Sequence, residues 1–189
     1  MNEAAWVILS GSTRTDGGRM NTTSTVSTPP DGVAEAQAAK VRAAIRSRSF
    51  ATIATVSDAG FPHAAGVIYV PVADELYVHT LRSSRKARNL QSDDRLAVTI
   101  PIRKLPVGPP FTVQFQGRGE VLAMDDPTVT PLIERGALKA ITSHGELEMP
   151  DGCFLRIRPN GVVHSYGIGV PTLALIRDPL TNGPRSVRL

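Results

Sequence analysis

The stretch "FATIATVSDAGFPHAAGVIYVPV", residues 50–72, decides the fold class. Its first part, "FATIATVS" (50–57), alternates apolar and small polar residues with a period of two, which indicates a half-buried strand. "DAG" (58–60) is a short turn whose glycine can adopt a positive φ. "FPHAAGVIYVPV" (61–72) returns as a second strand, and Pro62 near its start indicates a sheet edge. The stretch therefore predicts an antiparallel hairpin.

The same alternation continues along the chain beyond this hairpin. It predicts further strands at 75–80, 95–102, 111–124, 153–159 and 161–169. Helical patterns lie before and between the strands, at 33–48, from Ser84 to about Gln91, and at 126–142. Six or seven strands that return on one another, with two or three helices, predict a mainly β protein whose antiparallel strands close into a barrel.

Size and composition fit one globular domain with a substantial core. The chain has 189 residues, of which 41% are hydrophobic and 20% charged. The net charge of +4 suits nucleic acid, an acidic membrane surface or a phosphorylated ligand and does not choose among them. Aromatic residues make up only 5% and are not interleaved with basic residues, so we do not expect nucleic-acid binding. The apolar runs are too short to span a membrane.

Cysteine use and the N-terminal composition bear on location and domain limits. Cys153 is the only cysteine, which excludes an intramolecular disulfide and favours the cytoplasm. Residues 10–32 are rich in Ser, Thr, Gly and Pro, so we interpret residues 1–32 as a disordered arm and 33–189 as the domain. Because Met20 lies within this arm, translation from Met20 instead of Met1 is a hypothesis.

Positive charge is concentrated at the start of the predicted helix "SSRKARNL" (83–90). A helix N-terminus is already partly positive, yet Arg85 and Lys86 occupy its first turn. A bound anion would reverse the sign of this interaction, since backbone N–H groups, the helix dipole and both cations would converge on it. A phosphate is the anion this pattern favours, and Thr80 could add a hydroxyl. The alternative is a basic, solvated helix face.

The order of short motifs over residues 40–168 resembles the flavin-binding split barrels related to pyridoxamine 5'-phosphate oxidase. The residues that carry the likeness are Ala54-Thr55-Val56, Gly60, Pro62-His63, Thr80, Ser84, Lys86, Asn89-Leu90 and Gly117. The resemblance implies a homodimeric, FMN-binding split barrel with the flavin at the subunit interface. It also implies that the segment "SSRK" holds the FMN phosphate, in agreement with the electrostatic argument.

The resemblance further implies a set of cofactor contacts, for each of which a structural role stays open. Ser84, Arg85 and Lys86 would hold the phosphate, and His79 and Thr80 would border the ribityl chain. Val67, Ile68 and Tyr69 would lie along the isoalloxazine ring, with Asn89 nearby. The partner subunit would contribute Thr112 and Gln114, or residues of the last hairpin.

Departures from the family pattern make vitamin B6 oxidation an unexpected activity. The better-characterised oxidases carry Arg and Lys on the second strand, where this chain has Ala64, Ala65, Gly66 and Val70. They also end with an Arg-x-His pair, which the tail "GPRSVRL" lacks. We therefore expect an oxidoreductase for another small organic substrate, without naming a catalytic residue. A deazaflavin-dependent reductase, or a carrier of flavin, haem or biliverdin, is the alternative.

Other chemistry-bearing side chains show no site pattern. The four histidines, at 63, 79, 144 and 164, lack the spacing of metal ligands, and we interpret them as packing residues. Arg156 and Arg158 share one face of a predicted strand. They would either hold an acidic substrate or lie on a solvated sheet face.

Overall fold

The computed structural model describes residues 31–102 and 111–189. Apart from its last two residues, the predicted N-terminal arm lies outside the described residues. The choice between Met1 and Met20 as the first residue lies outside them too.

The first described element is a helix that packs on the sheet. Helix α1 spans Asp31–Arg46, two residues earlier at both ends than the predicted 33–48. Its buried stripe consists of Ala38, Val41 and Ile45. Gln37 Nε2 donates a 2.8 Å hydrogen bond to the carbonyl oxygen of Ile168, which ties the helix to the far end of the chain.

Within the described residues, eight strands form one antiparallel sheet. They are β1 (Phe50–Val56), β2 (Pro62–Ile68), β3 (Val70–Val72), β4 (Glu75–Leu81), β5 (Arg95–Ile102), β6 (Phe111–Leu122), β7 (Gly152–Tyr166) and β8 (Pro184–Arg188). Seven follow the order β2-β1-β5-β6-β7-β4-β3, and β8 pairs with β7. This arrangement confirms the predicted mainly β, antiparallel split barrel. Because β2 and β3 lie at opposite ends of that order but are joined through one residue, the sheet must curl until its two edges meet.

Two strand predictions were wrong in detail. The predicted strand at 61–72 is interrupted at Tyr69, and the predicted strands at 153–159 and 161–169 form the single strand β7. The register of β6 against β7 shifts between Phe115 and Gly117. A Cβ at Gly117 would overlap the carbonyl oxygen of Arg158, so the backbones approach too closely there for any other residue.

The remaining helices are short. They are α2 (Arg85–Ser92), α3 (Thr130–Glu134), α4 (Thr172–Arg177) and α5 (Pro179–Asn182). The predicted helix at 126–142 is wrong in extent: α3 ends before Gly136, which has a φ of +72°, and a 3-10 turn follows at Lys139–Ile141. Among the helices of the described ranges, none is long and apolar enough to cross a membrane.

Apolar side chains are buried in two clusters. The larger fills the barrel between the sheet, α1 and α2. The smaller lies on the other face of β4 and β7 and consists of Tyr77, Leu122, Val129, Leu132, Leu138, Ile141 and Phe154. This smaller cluster anchors the segment after α3 against β4 and β7.

Candidate functional site

A groove of about 440 Å³ lies where the two edges of the curled sheet meet. We call it the β2–β4 groove, and it is lined by Gly66, Val67, Ile68, Val78, His79, Lys86, Ala140, Ile141, His144 and Glu146. Edge strand β2 forms one side. On the other side, β3 pairs with β4 only as far as Tyr77, so Val78–Leu81 has no strand neighbour there within the described chain. Backbone groups along both edges are therefore available to a ligand.

Four of the predicted cofactor contacts meet in this groove: Val67, Ile68, His79 and Lys86. The two β2 residues differ in environment, because Val67 is 6% exposed and Ile68 is 51% exposed. Ile68 therefore presents an apolar side chain to the outside, while Val67 also belongs to the main core.

Helix α2 begins beside the groove with a serine cap. Ser84 has extended backbone angles (φ −65°, ψ 149°), and its Oγ accepts a 3.4 Å hydrogen bond from the backbone N–H of Ala87. The Oγ1 of Thr80, at the end of β4, lies 3.4 Å from the same Ser84 oxygen. Two hydroxyl groups thus lie together at the start of the helix, as the sequence predicted.

An acidic residue from a distant part of the chain also reaches this helix start. Asp151 Oδ2 accepts a 2.9 Å hydrogen bond from the Ser83 backbone N–H, and the Asp151 carbonyl accepts one from Arg82. The hydrogen bonds from Ser83 lower the pKa of the Asp151 carboxyl, and the charge of Arg82 acts in the same direction. The positive charge at this helix start is therefore partly balanced, which the local sequence did not predict.

The two cations of the first turn differ in position. Lys86 is half-buried and lines the groove, whereas Arg85 is exposed and does not line it. Within the described residues, neither side chain has a carboxylate partner within 4.0 Å, although other arginines of the sheet are paired in this way. Lys86 is thus a partly desolvated cation without a counter-ion beside the capped helix start.

His79 lies on β4 with one ring nitrogen buried. Its ring packs edge-to-face on Phe154, with centroids 5.5 Å apart and an interplanar angle of 73°. Nε2 is buried and has no hydrogen-bond partner, and a Cβ at Gly152 would come within 3.1 Å of it. Burial lowers the pKa of His79, while the charge of Glu146 opposes this shift. His79 is therefore a neutral imidazole at neutral pH.

The turn after α3 contributes lining residues that were not among the predicted cofactor contacts. Gly145 has a φ of +89° and turns the chain so that His144 and Glu146 both line the groove. The His144 backbone N–H donates a 2.6 Å hydrogen bond to a Glu146 carboxylate oxygen, and His144 Nδ1 lies 3.2 Å from Ser143 Oγ. This backbone hydrogen bond is the main cause of the lowered pKa of Glu146. The sequence "SHGE" (143–146) carried the available signal for this turn. It places His144 and Glu146 on either side of a turn glycine, shortly after the buried Ile141.

Tyr69 and Asn89 do not line the groove. Tyr69 is 1% exposed, and its hydroxyl donates a 2.7 Å hydrogen bond to the carbonyl of Ile45. Burial raises the pKa of this phenol. Asn89 is also buried, and its Nδ2 donates a 2.9 Å hydrogen bond to Thr55 Oγ1. Both side chains therefore have structural partners within the chain.

Thr112 and Gln114 lie on β6, away from the groove. Their side chains are 3.3 Å apart, and Gln114 is exposed on the outer face of the sheet. This position keeps them accessible to another subunit.

The two arginines of β7 are paired with carboxylates. Arg156 binds Glu120, and Arg158 Nε lies 2.7 Å from Glu75 Oε1. They form an ion-pair network on the sheet face, which leaves little charge for an acidic substrate.

Across the described ranges, no three His, Cys, Asp or Glu residues are grouped so that they could hold a metal ion.

A comparison with protein families decides the relationship. The family described as pyridoxamine 5'-phosphate oxidase matches residues 38–165, about two thirds of the chain. The chain belongs to the pyridoxamine 5'-phosphate oxidase family. This confirms the resemblance that the motifs between β1 and β6 indicated, and the matched region contains every lining residue of the β2–β4 groove.

Solved structures of low sequence identity share the fold of this family member. HutZ, the heme storage protein of Vibrio cholerae, is 16% identical with a TM-score of 0.58, over 66% of this chain and 91% of HutZ. A heme-binding protein of Mycobacterium smegmatis is 18% identical with a TM-score of 0.62, over 80% of this chain and 57% of that protein. An FAD-binding protein of Mesorhizobium loti is 19% identical with a TM-score of 0.56, over 68% of this chain and 90% of that protein. A sequence search of curated proteins finds no significant match.

Proposed function

We propose that this family member binds FMN in the β2–β4 groove and acts as an oxidoreductase on a small organic substrate. The observation that carries the proposal is Lys86, a half-buried cation without a carboxylate partner among the described residues, which lines the groove at the capped start of α2. Cys153 is the only cysteine of the chain and cannot form an intramolecular disulfide, which suits a reducing cytoplasm.

The phosphate would bind at the helix end of the groove. There Lys86 supplies a charge, the Thr80 and Ser84 hydroxyls supply donors, and the dipole of α2 favours an anion. Arg85 is exposed next to them and can swing towards a bound dianion. Charge-assisted hydrogen bonds of this kind contribute about 1.5–3 kcal/mol each, which is enough to hold a phosphorylated ligand.

The ring system would lie along the free strand edges. Val67 and Ile68 offer apolar surface, and the edge of β4 beyond Tyr77 offers backbone donors and acceptors. His79 adds a neutral imidazole held by Phe154. When bound, the flavin supplies the hydride and electron transfer, and the protein supplies position and electrostatics. This division fits a groove whose lining, among the described residues, contains no serine, threonine or cysteine.

A second copy of the chain would complete the site. Where β1 pairs with β2 and β5, the outward side of the sheet carries a patch of small side chains, among them Ala54, Ala64, Ala97 and Thr99. Such a patch can pack against its own symmetry mate and bring Thr112 and Gln114 towards the partner's groove. An Ala97→Arg variant, examined by analytical ultracentrifugation, should sediment as a monomer where the parent chain is a dimer. A parent chain that is itself monomeric would contradict this part of the proposal.

The direct experiment is the absorbance spectrum of freshly purified protein. A band near ~450 nm indicates a flavin, one near ~420 nm a deazaflavin, and a sharp Soret band haem. Oxidation of a reduced nicotinamide by the loaded protein then separates an enzyme from a carrier. A colourless protein that takes up no FMN on titration would contradict the proposal. A deazaflavin coenzyme remains compatible with the groove, since its phosphate would use the same cation.

A haem carrier is the second candidate. Two imidazoles, His79 and His144, line the groove, and imidazole is a common ligand of haem iron. HutZ and the Mycobacterium smegmatis protein, which share the fold, are described as heme-storage and heme-binding. In this case Lys86 would face a haem propionate instead of a phosphate.

A further inference from the structure

The turn after α3 contributes a carboxylate to the lining of the groove. Glu146 lines it with a side chain that is 21% exposed, and the His144 backbone N–H fixes one carboxylate oxygen at 2.6 Å. The pKa of this carboxyl is lowered, mainly by that hydrogen bond, so the group is ionised at neutral pH. Within the described residues, no lysine or arginine lies within 4.0 Å of it.

The charged groups that face the groove come from three elements. Lys86 belongs to α2, His79 to β4, and His144 and Glu146 to the turn after α3. A phosphate at the start of α2 would neutralise Lys86, and burial keeps His79 uncharged. His144 Nδ1 lies 3.8 Å from Glu146. Once the cofactor phosphate is in place, Glu146 therefore remains as a charged carboxylate of the groove without a lysine or arginine partner among the described residues.

We propose that Glu146 selects a co-substrate with a cationic group, such as a protonated amine or a quaternary nitrogen, for the part of the β2–β4 groove that the turn after α3 lines. This inference rests on the proposed function, because it assigns the rest of the groove to the flavin. A partly buried carboxylate that already has one fixed hydrogen bond can pair with a cation without reorganising. An anionic substrate would meet it as a like charge.

The test compares Glu146→Gln with Glu148→Gln. The second residue is exposed, lies two positions further on and does not line the groove, so its variant makes the same change in net charge. Two dyes serve as probes at pH 8: the cation methylene blue and the anion 2,6-dichlorophenolindophenol. FMN-loaded protein is reduced with one equivalent of dithionite, so that no reductant is left over to reach the dye, and is then mixed with each dye. Two electrons pass to the dye, with protons from solvent, and the dependence of the rate on dye concentration separates dye binding from electron transfer.

The proposal predicts that the parent protein binds methylene blue more tightly than the anionic dye. Glu146→Gln should weaken methylene blue binding by about 5–10-fold with little change in the limiting rate, while Glu148→Gln should behave like the parent. Equal losses in both variants, or a parent without preference, would overturn it.

A second measurement separates this inference from the proposed function. Methylene blue binding to the cofactor-free chain, followed by equilibrium dialysis, involves no electron transfer. If the protein takes up no FMN, the proposed function fails, yet a selective loss of dye binding in Glu146→Gln would still support the acidic subsite. If FMN binds and Glu146→Gln changes neither measurement, only the acidic subsite is overturned.

Discussion

Asn89 on α2 donates a 2.9 Å hydrogen bond from Nδ2 to the Oγ1 of Thr55 on β1, and both side chains are buried. Thr55 has no exposed surface, and Asn89 is 6% exposed. A buried amide that lacks its acceptor would carry the desolvation penalty. This bond therefore fixes α2, and with it Lys86, relative to the barrel.

The first prediction concerns this bond. Asn89→Ala and Thr55→Val should each lower the free energy of unfolding by about 1–3 kcal/mol, since each leaves a buried polar group without its partner. The double variant should lose less than the sum, with a coupling of at least ~0.5 kcal/mol. Urea unfolding of the four proteins measures this coupling. Strictly additive losses would show that the two side chains do not depend on each other.

The second prediction ranks the cations of α2. Because Lys86 lines the groove and Arg85 does not, Lys86→Ala should weaken FMN binding by about 10-fold or more and Arg85→Ala by less. The double variant should lose at least ~2 kcal/mol of binding free energy. Arg88→Ala is the matched control, since Arg88 is exposed on the same helix and does not line the groove. Equal losses at all three positions would indicate a diffuse charge effect instead of a site.

The third prediction concerns Asp151, whose carboxylate lies at the start of α2. Asp151→Asn keeps an acceptor for the Ser83 N–H but removes a negative charge that would repel a phosphate, so FMN should bind about 2–5-fold more tightly at pH 7 and low salt. Asp58→Asn, in the exposed turn between β1 and β2, is the control. Unchanged or weaker FMN binding in Asp151→Asn would show that this carboxylate does not oppose the anion.

The Asp151 carboxylate also makes the stability of the folded chain depend on pH. The folded-state pKa of Asp151 is lowered, so its contribution to stability is present above the ordinary carboxyl pKa of about 3.9 and is lost as the pH falls through the folded-state value. The stability difference between the parent and Asp151→Asn should therefore shrink below about pH 4. Thermal unfolding between pH 3 and pH 7 measures this difference. A difference that grows on acidification would contradict the assigned direction.

The fourth prediction tests the close approach of β6 and β7. Gly117→Ala should destabilise the chain by more than ~2 kcal/mol or prevent folding, because the new methyl group would overlap the backbone of Arg158. Gly32→Ala, in the first turn of α1 with no heavy atom within 4 Å of the new Cβ, should be neutral or slightly stabilising. Soluble yield and urea unfolding compare the two variants. Equal stabilities would mean that the strands can separate at Gly117.

Much of the fold followed from local patterns. The hairpin of β1 and β2 was predictable because alternation and a turn glycine are both encoded within a few residues. The continuity of β7 and the pairing of β8 were not, since they depend on cross-strand contacts between distant residues. Gly161 illustrates the limit: it looks like a turn signal, yet with a φ of +84° it lies inside a strand.

The candidate site was predictable only where one segment determines it. The cap at Ser84 and the cation at Lys86 are local features of α2. The acid at Asp151 and the wall at Glu146 come from residues that the curled sheet brings to the groove from far along the chain. The hydrogen bond of Asn89 was not predictable, because a polar residue on a short helix carries no signal of a buried partner 34 positions away.

The most direct test of the central claim compares FMN with riboflavin, which lacks the phosphate. Both are titrated into the cofactor-free chain while flavin fluorescence is recorded, and the Arg85→Ala, Lys86→Ala double variant is measured alongside. The account predicts that FMN binds at least ~10-fold more tightly than riboflavin and that the double variant loses this preference. Equal affinities of the parent chain for FMN and riboflavin would contradict the assignment of the α2 start as a phosphate site.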